Sequence, residues 1–305
     1  MDKKDYLYAL AISKYYNGME YLARGIVHIS PKGLKKRLNI AYGSEKGQKY
    51  DIIYPEGNEK KPILFYIHGG GFVSGKLTLR RPYCYCLAKE GFFVANVDYR
   101  LAPKTHFPNQ FGDIFKAVEA VLDNAAKYNL DTSKIVVAGE SAGAYFANYI
   151  GVMSKKKDLF ERLNVYFKYK DVFDVKSTVL IDGIYDYEVL SKIKAANCST
   201  YIKAFYNLTN KEYENIGNTK NELFSSCTYI DKNYPPSIVI RGKYDAFDEA
   251  GRRLLELFDE RYVEYCEYCT KGLSGFHGVA VAPINKEGKK ALQFTADNLK
   301  KYINR

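Results

Sequence analysis

The sequence predicts an α/β fold in which a mostly parallel central sheet carries helices on both of its faces. Short runs of β-branched and aromatic residues alternate along the chain with longer stretches of helical periodicity. Strands that alternate with helices are typical of parallel sheets, because each helix returns the chain to the same end of the sheet. The 305 residues, 47% of them hydrophobic, are enough to bury one large core. We therefore predict a single domain that spans residues 1–305.

An amphipathic helix that docks on the body of the protein is predicted at the N-terminus. The apolar stretch 6–12 is interrupted by Ser13 and Lys14 without a small-residue cleavage site, so a signal peptide is not expected. No later stretch reaches the ~18 apolar residues that span a bilayer, and we predict a cytoplasmic protein. The side chains expected to face the body recur near helical spacing: Leu7, Ala11, Tyr15, Met19, Leu22 and Ile26.

The predicted strands and helices follow one another in a regular order. Residues 36–42 and 48–54 alternate apolar and polar side chains on either side of the turn 43–47, which predicts an antiparallel hairpin. After the hairpin we expect strand 62–67, helix 78–90, strand 92–98, helix 109–127, strand 135–138, a helix over 144–150 and strand 179–181. The last part of the chain is predicted to form strand 237–240, helix 249–260, strand 263–269 and helix 284–303.

The stretch 185–233 breaks this order. It is rich in Asn, Tyr and Lys and holds only weak helical pieces at 191–196 and 201–206. An insertion that follows a strand of a parallel sheet lies at the end of the sheet where sites form, so it is placed to cover such a site. We predict a cap formed by about residues 1–35 and 185–233.

Charge and cysteine content argue against two classes of function. The net charge is +11, from 46 basic and 35 acidic residues, but the basic residues lie in scattered clusters instead of on one element, which disfavours nucleic-acid binding. Cys266 and Cys269 are three apart in a predicted strand and point to opposite faces. Cys84 and Cys86 are two apart in a predicted helix and do not share a face either. We predict free thiols and no metal site.

Ser141 is the candidate nucleophile. It stands in the middle of Gly139-Glu140-Ser141-Ala142-Gly143, between the predicted strand 135–138 and the helix that follows. A strand that turns sharply into a helix strains its middle residue and exposes the hydroxyl above the sheet. The two glycines let the backbone fold back where a Cβ would clash. The pattern alone also fits a glycine-lined turn that happens to hold a serine.

A glycine-rich loop follows the predicted strand 62–67, as His68-Gly69-Gly70-Gly71-Phe72. A run of glycines lets backbone N–H groups turn toward a developing oxyanion, and side chains there would block the approach. A phosphate-binding loop is the alternative, because residues 70–76 fit its first seven positions. Its eighth position is Leu77, which lacks the hydroxyl that binds Mg²⁺, so a nucleotide site is disfavoured.

Asp245 and His277 are the candidate partners of Ser141. Asp245 follows the predicted strand 237–240, and His277 lies in the Gly-rich loop 272–278 after the last strand. Each alone is a weak signal, because such an Asp often caps a helix and a lone His is often a packed residue. Their chain order, serine then acid then histidine, is one of the orders in which catalytic triads occur. Asp248 is predicted instead to be an N-cap or first-turn acid of the next helix.

Together these motifs resemble the hormone-sensitive-lipase-like carboxylesterases of the α/β-hydrolase superfamily, over about residues 62–281. The resemblance departs at Glu140, where Asp is more usual, and at Ala144, where another Gly is expected. In such enzymes the N-terminus and the insertion form the cap that selects substrates. The matching motifs are His68-Gly69-Gly70-Gly71-Phe72, Asp98-Tyr99-Arg100-Leu101-Ala102-Pro103, Phe107-Pro108, Gly139-Glu140-Ser141-Ala142-Gly143, Asp245 and His277.

The resemblance implies an α/β-hydrolase fold and hydrolysis of a small-molecule ester through an acyl-enzyme. Ser141 would attack the ester carbonyl, His277 would take and return the proton, and Asp245 would fix the imidazole tautomer. A polar, Asn- and Tyr-rich cap favours short, acetyl-like acyl chains. No cofactor is expected, and a homodimer stays open. Five further residues complete the implied site: Gly70, Gly71 and Ala142 as oxyanion donors, with His68 and Gly69 as support of the oxyanion loop.

Two other functions stay open at this point. The stretch 180–186 also resembles the neighbouring arylformamidase branch, which would make the protein an amidase, although that branch typically carries an aromatic residue in place of Gly71. The plant gibberellin receptor resembles these esterases and binds a ligand without turning it over. That receptor has lost the histidine, and His277 is present here, which favours catalysis.

Overall fold

The computed structural model describes residues 1–23, 29–30, 32–186, 197–215, 222–283 and 285–305. Within them, one eight-stranded sheet has the strand order β1-β2-β4-β3-β5-β6-β7-β8. β2 pairs antiparallel with β1 and β4, and all other neighbouring strands are parallel. The predicted hairpin and mostly parallel sheet are therefore confirmed. The strands are β1 (Leu34–Ala41), β2 (Lys49–Pro55), β3 (Lys61–Ile67), β4 (Phe93–Val97), β5 (Leu130–Glu140), β6 (Val175–Ile181), β7 (Ser237–Gly242) and β8 (Tyr265–Thr270).

The helices follow the predicted order, except that one predicted helix is divided in two and that two short helices, 158–162 and 210–214, were not predicted. The expected helix 109–127 is two helices, because α3 ends at Leu122 and α4 begins at Ala125. The expected piece 191–196 and the expected first residue of the last helix, 284, lie outside the described residues. The helices are α1 (Lys3–Ala23), α2 (Leu77–Lys89), α3 (Asn109–Leu122), α4 (Ala125–Tyr128), α5 (Ala142–Met153), α6 (Asp158–Arg162), α7 (Cys198–Tyr206), α8 (Asn210–Glu214), α9 (Asp248–Glu260) and α10 (Lys286–Ile303).

Helices cover both faces of the sheet. Phe115 of α3 and Phe146 of α5 pack with the side chains of one face, whereas Leu87 of α2 and Leu299 of α10 pack with those of the other. The central strands are buried on both sides, which explains why the sequence shows continuous apolar runs there instead of alternation. The carboxyl ends of β3 and β5–β8 consequently meet at one end of the sheet, where sites form in parallel α/β folds.

The N-terminal helix forms as predicted, but it buries a different face. Leu7, Ala11 and Tyr15, which were expected to face the body, are exposed, Leu7 by 56% and Tyr15 by 64%. Ala9 and Ile12 are buried instead. The helix carries two apolar stripes, one with Leu7 and Tyr15 and one with Ala9 and Ile12. Periodicity alone could not tell which of these stripes contacts the protein. Of the other expected contacts, the side chains of Met19 and Leu22 and the whole of residue 26 lie outside the described part.

α1 lies against α7 of the insertion. Asp5 forms an ion pair with Lys203 of α7 at 2.8 Å, and Asp2 accepts a hydrogen bond from the Asn210 side chain at 2.8 Å. Ala9 of α1 and Ala204 of α7 also belong to one small apolar cluster. α1 is therefore packed against this part of the insertion. No helix in the described ranges is both long enough and apolar enough to cross a bilayer.

Candidate active site

Ser141 lies at the sharp turn between β5 and α5. Its backbone has φ +53° and ψ −121°, a conformation that non-glycine residues seldom adopt. A Cβ on Gly139 would lie 2.3 Å from the carbonyl oxygen of Gly143, and a Cβ on Gly143 would lie 2.0 Å from that of Ile67. Both glycines are therefore required for the turn to close against β3, and Ser141 is held at the carboxyl end of the sheet.

Three loops bring Ser141, His277 and Asp245 together. The Ser141 Oγ lies 2.9 Å from Nε2 of His277, and Nδ1 of His277 lies 2.9 Å and 3.0 Å from the two carboxylate oxygens of Asp245. Because a carboxylate only accepts hydrogen bonds, Nδ1 carries the proton and Nε2 is left to accept the serine hydroxyl. Burial lowers the pKa of His277, but the hydrogen bond and charge of Asp245 outweigh it, so the pKa is raised above its ordinary value.

Asp248 contacts arginines instead of the imidazole. It is the first residue of α9, as predicted for a first-turn acid, and it pairs with Arg241 and, at 3.3 Å, with Arg252. Asp245 instead accepts the N–H of Phe247 at 2.9 Å while its carboxylate faces His277. The two acids, three residues apart, therefore contact different partners.

The glycine loop lies beside the Ser141 turn. Gly70 and Gly71 have φ values of +119° and +59°, and a Cβ on Gly70 would lie 2.2 Å from the Ser74 carbonyl oxygen. The carbonyl of Gly70 accepts hydrogen bonds from the N–H and the hydroxyl of Ser74, at 2.9 Å and 2.7 Å. Within the described residues, the N–H groups of Gly70, Gly71 and Ala142 have no protein acceptor. These three donors thus stay available to a ligand.

Glu140 ties the glycine loop to the neighbouring strand and helix. Its buried carboxylate accepts the Gly69 N–H at 2.7 Å, the Arg80 guanidinium and the Tyr66 hydroxyl. Burial and the charge of Glu140 hold the pKa of Tyr66 well above its ordinary value, so this hydroxyl stays a donor. A Glu is one methylene longer than the Asp usual in related sequences. That length is matched here by Arg80 and Tyr66, which the sequence analysis did not identify.

His68 braces the loop from the other side. Its Nε2 lies 2.8 Å from Asp98, its Nδ1 lies 2.7 Å from the Gly69 carbonyl oxygen, and its ring stacks on Tyr99 at 4.5 Å. Burial lowers the pKa of His68, but the contacts with Asp98 outweigh it and raise the pKa. Since both ring nitrogens face acceptors, the ring serves as a double donor that holds the loop in place.

The described part of the insertion covers the glycine loop. A Cβ on Gly71 would lie 3.1 Å from the ring of Tyr201 in α7. Phe205, one turn later, stacks on Phe72 with ring centres 3.9 Å apart. The N–H of Phe107 donates to the Phe205 carbonyl at 2.8 Å. α7 is consequently fixed directly over the loop.

Asp182 is a buried acid beside His277 that the sequence analysis did not single out. It follows β6 directly, has φ +45° and is 3% exposed. One oxygen accepts the Gly278 N–H at 3.0 Å, and the other makes no hydrogen bond of normal geometry among the described residues. Burial, followed by repulsion from Asp245, raises the pKa of Asp182 to about 7. Asp182 comes directly after a predicted strand. The position after a strand identified Asp245 and could have identified Asp182 in the same way.

Comparison with protein families identifies the family to which this chain belongs. The BD-FAE family model matches residues 50–249, which is more than half of the chain. The chain belongs to the BD-FAE family. It is similar to the putative α/β hydrolase R526 of Acanthamoeba polyphaga mimivirus, 30% identical over 152 residues that make up 44% of each chain. It is also similar to arylacetamide deacetylase of Mus musculus, 40% identical over 92 residues, 28% of this chain and 22% of the deacetylase.

These relatives confirm the predicted resemblance to carboxylesterases of the α/β-hydrolase superfamily. The chain matches less than half of the length of either one. This BD-FAE family member also superimposes on esterase B of Lactobacillus Rhamnosis inhibited by a tributyrin phosphonate. The TM-score is 0.84 and the identity 21%, over 100% of this chain and 97% of that one. The predicted α/β-hydrolase fold is therefore confirmed.

Replacing Glu140 by Gln should weaken both stability and turnover. The amide keeps the size of the side chain but leaves Arg80 without its buried charge and turns one acceptor into a donor. We expect a loss of about 3 kcal/mol in the free energy of unfolding and a fall in kcat of about 10²-fold, with KM little changed, because the glycine loop loses its anchor at Gly69. Denaturant unfolding and ester hydrolysis measure the two effects.

The matched control is Glu90→Gln, which removes the partner of Lys300 in a surface ion pair. Surface pairs contribute little, so this variant should change both quantities only slightly. Equal losses in the two variants would contradict the role given to Glu140.

Proposed function

We propose that the protein is a serine carboxylesterase that hydrolyses short-chain acyl esters through an acyl-enzyme intermediate. The observation that carries the proposal is the continuous hydrogen-bonded chain from Ser141 through His277 to Asp245. It ends at a strained serine next to a loop in which the N–H groups of Gly70 and Gly71 have no acceptor within the described residues. A nucleophile, a base, an acid that orients the base and a set of oxyanion donors are the parts that acyl transfer requires.

In the acylation step, Ser141 attacks the ester carbonyl as His277 Nε2 accepts the hydroxyl proton. The carbonyl oxygen becomes an oxyanion, which the N–H groups of Gly70, Gly71 and Ala142 stabilise. Ala142 is the first residue of α5, so the positive end of that helix adds to the stabilisation. The imidazolium then gives its proton to the leaving alcohol, and the acyl group stays on Ser141.

In the deacylation step, a water molecule takes the place of the alcohol. His277 removes a proton from this water, the hydroxide attacks the acyl-enzyme, and the same N–H groups hold the second oxyanion. Asp245 keeps the proton on Nδ1 throughout, so Nε2 always faces the reacting oxygen. The released acid carries the acyl group, and Ser141 regains its proton.

Short acyl chains are proposed because of the cap. α7 packs directly on the oxyanion loop, with Tyr201 against Gly71, and the polar composition of 185–233 offers little extended apolar surface. Esterase B was inhibited by a tributyrin phosphonate, which carries short chains, and the mouse relative is named for deacetylation. We further propose that residues 1–35 and 185–233 form a substrate-selecting cap. A cytoplasmic location and a homodimer are also parts of the proposal.

A panel of p-nitrophenyl esters of increasing acyl length tests this function. We expect acetyl and butyryl esters to turn over faster than the palmitoyl ester. A serine-reactive organophosphate should eliminate the activity, whereas prolonged chelation should leave it unchanged, since the proposed mechanism uses no metal. Faster turnover of palmitoyl esters would contradict the acyl preference. Inhibition by a chelator together with resistance to the organophosphate would contradict the mechanism.

An amidase is the second candidate, because the mouse relative is named for an arylacetamide. Parallel assays on an aryl ester, the matching acetanilide and formylkynurenine separate the two activities. We favour the ester. The formamidase branch carries an aromatic residue in place of Gly71, and a side chain there would meet Tyr201 in this cap. The non-catalytic, ligand-binding alternative is disfavoured because His277 stands between Ser141 and Asp245.

A further inference from the structure

A second buried carboxyl group lies beside the proposed triad. One oxygen of Asp182, one oxygen of Asp245 and a nitrogen of His277 all lie within 4.8 Å of one another. Asp182 and Asp245 follow the neighbouring strands β6 and β7, and the Asp182 N–H is bonded to the Ile240 carbonyl at 2.9 Å. The parallel pairing of these strands therefore holds both acids at the same end of the sheet.

Asp182 is tied to the segment that carries His277. Its Oδ2 accepts the N–H of Gly278, the next residue, at 3.0 Å. Its Oδ1 is buried and makes no hydrogen bond of normal geometry in the described ranges, although the Gly242 N–H acts to lower the pKa of this carboxyl group. A buried carboxyl oxygen without a partner is costly, especially if it is charged, and it persists where a function requires it.

We propose that Asp182 is a positioning residue of this site, which holds the His277 loop through Gly278 and places a second carboxyl group against the imidazole. This inference rests on the proposed function, in which His277 is the base. It assigns to Asp182 the control of the pH range over which His277 acts.

The physical reason is the repulsion between two acids that face one imidazole. Asp245 is bonded to Nδ1 of His277 through both of its oxygens, whereas the burial of Asp182 favours its protonated form. Its pKa of about 7, raised by burial and then by Asp245, agrees with this assignment. When His277 becomes an imidazolium, its positive charge favours ionisation of Asp182. By the same coupling, ionised Asp182 favours the imidazolium and raises the pKa of His277.

The other groups that face the pair do not supply this effect. Glu140 also raises the pKa of His277, but it comes after Asp245 and Asp182 in the order of causes, and its charge is paired with Arg80. Tyr185 is buried near Asp182, and burial followed by the charge of Asp182 holds its pKa well above the ordinary value, so it stays neutral. Within the described residues, Asp182 is therefore a group beside His277 whose charge changes close to neutral pH.

The test is Asp182→Asn, read out as the pH dependence of kcat/KM. Asn matches the shape of Asp, can still accept the Gly278 N–H and tolerates the positive φ of this position. Asn cannot ionise, so the imidazolium loses the carboxylate whose ionisation it favours, the pKa of His277 falls, and the neutral base should persist to lower pH. We expect the acidic limb of the profile to move down by about one pH unit. Glu249→Gln, which removes an exposed acid of α9, should leave the profile in place.

A second measurement follows His277 without any substrate. The imidazole signals of His277, assigned by their loss in His277→Gln, are titrated by NMR in the wild-type protein and in Asp182→Asn. The same downward shift of about one pH unit is expected. A purely structural role of Asp182 would change the melting temperature but not this titration. If His277 titrates at the same pH in both proteins, the proposal is wrong.

The titration also separates the two proposals. If the wild-type protein hydrolyses no ester, the proposed function fails while the NMR titration still decides the role of Asp182. If Asp182→Asn does not fold, difference infrared spectra of the wild-type protein take the place of the titration of the variant. They should show the C=O band of a buried protonated carboxyl group that disappears as the pH rises through about 7. Absence of that band would overturn the proposal.

Discussion

Replacing Ser141 by Ala is expected to lower ester hydrolysis by about 10⁴-fold or more. The hydroxyl is the nucleophile of the proposed mechanism, and Ala cannot form the acyl-enzyme. Ala keeps the Cβ of Ser, so the strain at φ +53° is unchanged, and the folded state loses only the hydrogen bond to His277. The melting temperature should therefore stay close to that of the wild-type protein. Initial rates on p-nitrophenyl acetate and a thermal melt measure the two effects.

Ser133→Ala is the matched control for this variant. Ser133 is exposed, and among the residues that the structure describes its hydroxyl bonds only to the nearby Asp131. Its rate should equal that of the wild-type protein. If purified Ser141→Ala kept even a tenth of the activity, the assignment of the nucleophile would be wrong.

Replacing Asp245 by Asn should cost about 10⁴-fold in kcat, the size of the loss known for the corresponding change in serine proteases. The amide can donate to Nδ1 of His277, which favours the tautomer with its proton on Nε2. That nitrogen could then no longer accept the proton of Ser141. Asp182 does not compensate, because its hydrogen bond goes to Gly278 and not to the imidazole. Steady-state kinetics at several pH values measure the loss.

Asp248→Asn separates this effect from a general loss of charge in the same loop. Asp248 pairs with Arg241 and Arg252 and takes no part in the proposed proton transfer. We expect its kcat to stay within about two-fold of the wild-type value, while the free energy of unfolding falls by about 1 kcal/mol because Arg241 loses one partner. A large rate loss at 248 with normal turnover at 245 would transfer the proposed role to Asp248.

Local patterns predicted most of the elements. Strand 62–67 was expected and β3 is Lys61–Ile67, and helix 78–90 was expected and α2 is Leu77–Lys89. These agreements follow from the side-chain period, which depends only on residues close in the chain. The contacts of α1 were predicted less well, because Leu7 and Ile12 lie on two different stripes of one helix, and only the surface of α7 selects between them.

The candidate site was predictable to the extent that its residues lie at strand ends. Ser141, Asp245 and His277 each follow a predicted strand, and parallel strands end at the same end of the sheet. The sequence showed that Glu140 stands where related sequences usually carry Asp, but the partners of Glu140 could not be predicted. Arg80 and Tyr66 lie some 60 and 74 residues away along the chain. Nothing in their local sequence indicates a buried carboxylate.

By itself, then, the sequence determined the order of strands and helices, the turn at Ser141 and the glycine loop, because periodicity and glycine placement act over a few residues. Only the tertiary structure decided which donors hold Glu140 and that Asp182 stands beside the imidazole. Hydrogen bonding and charge repulsion act over a few ångströms. The neighbours at that distance come from remote parts of the chain, and the packing of the sheet and its loops selects them.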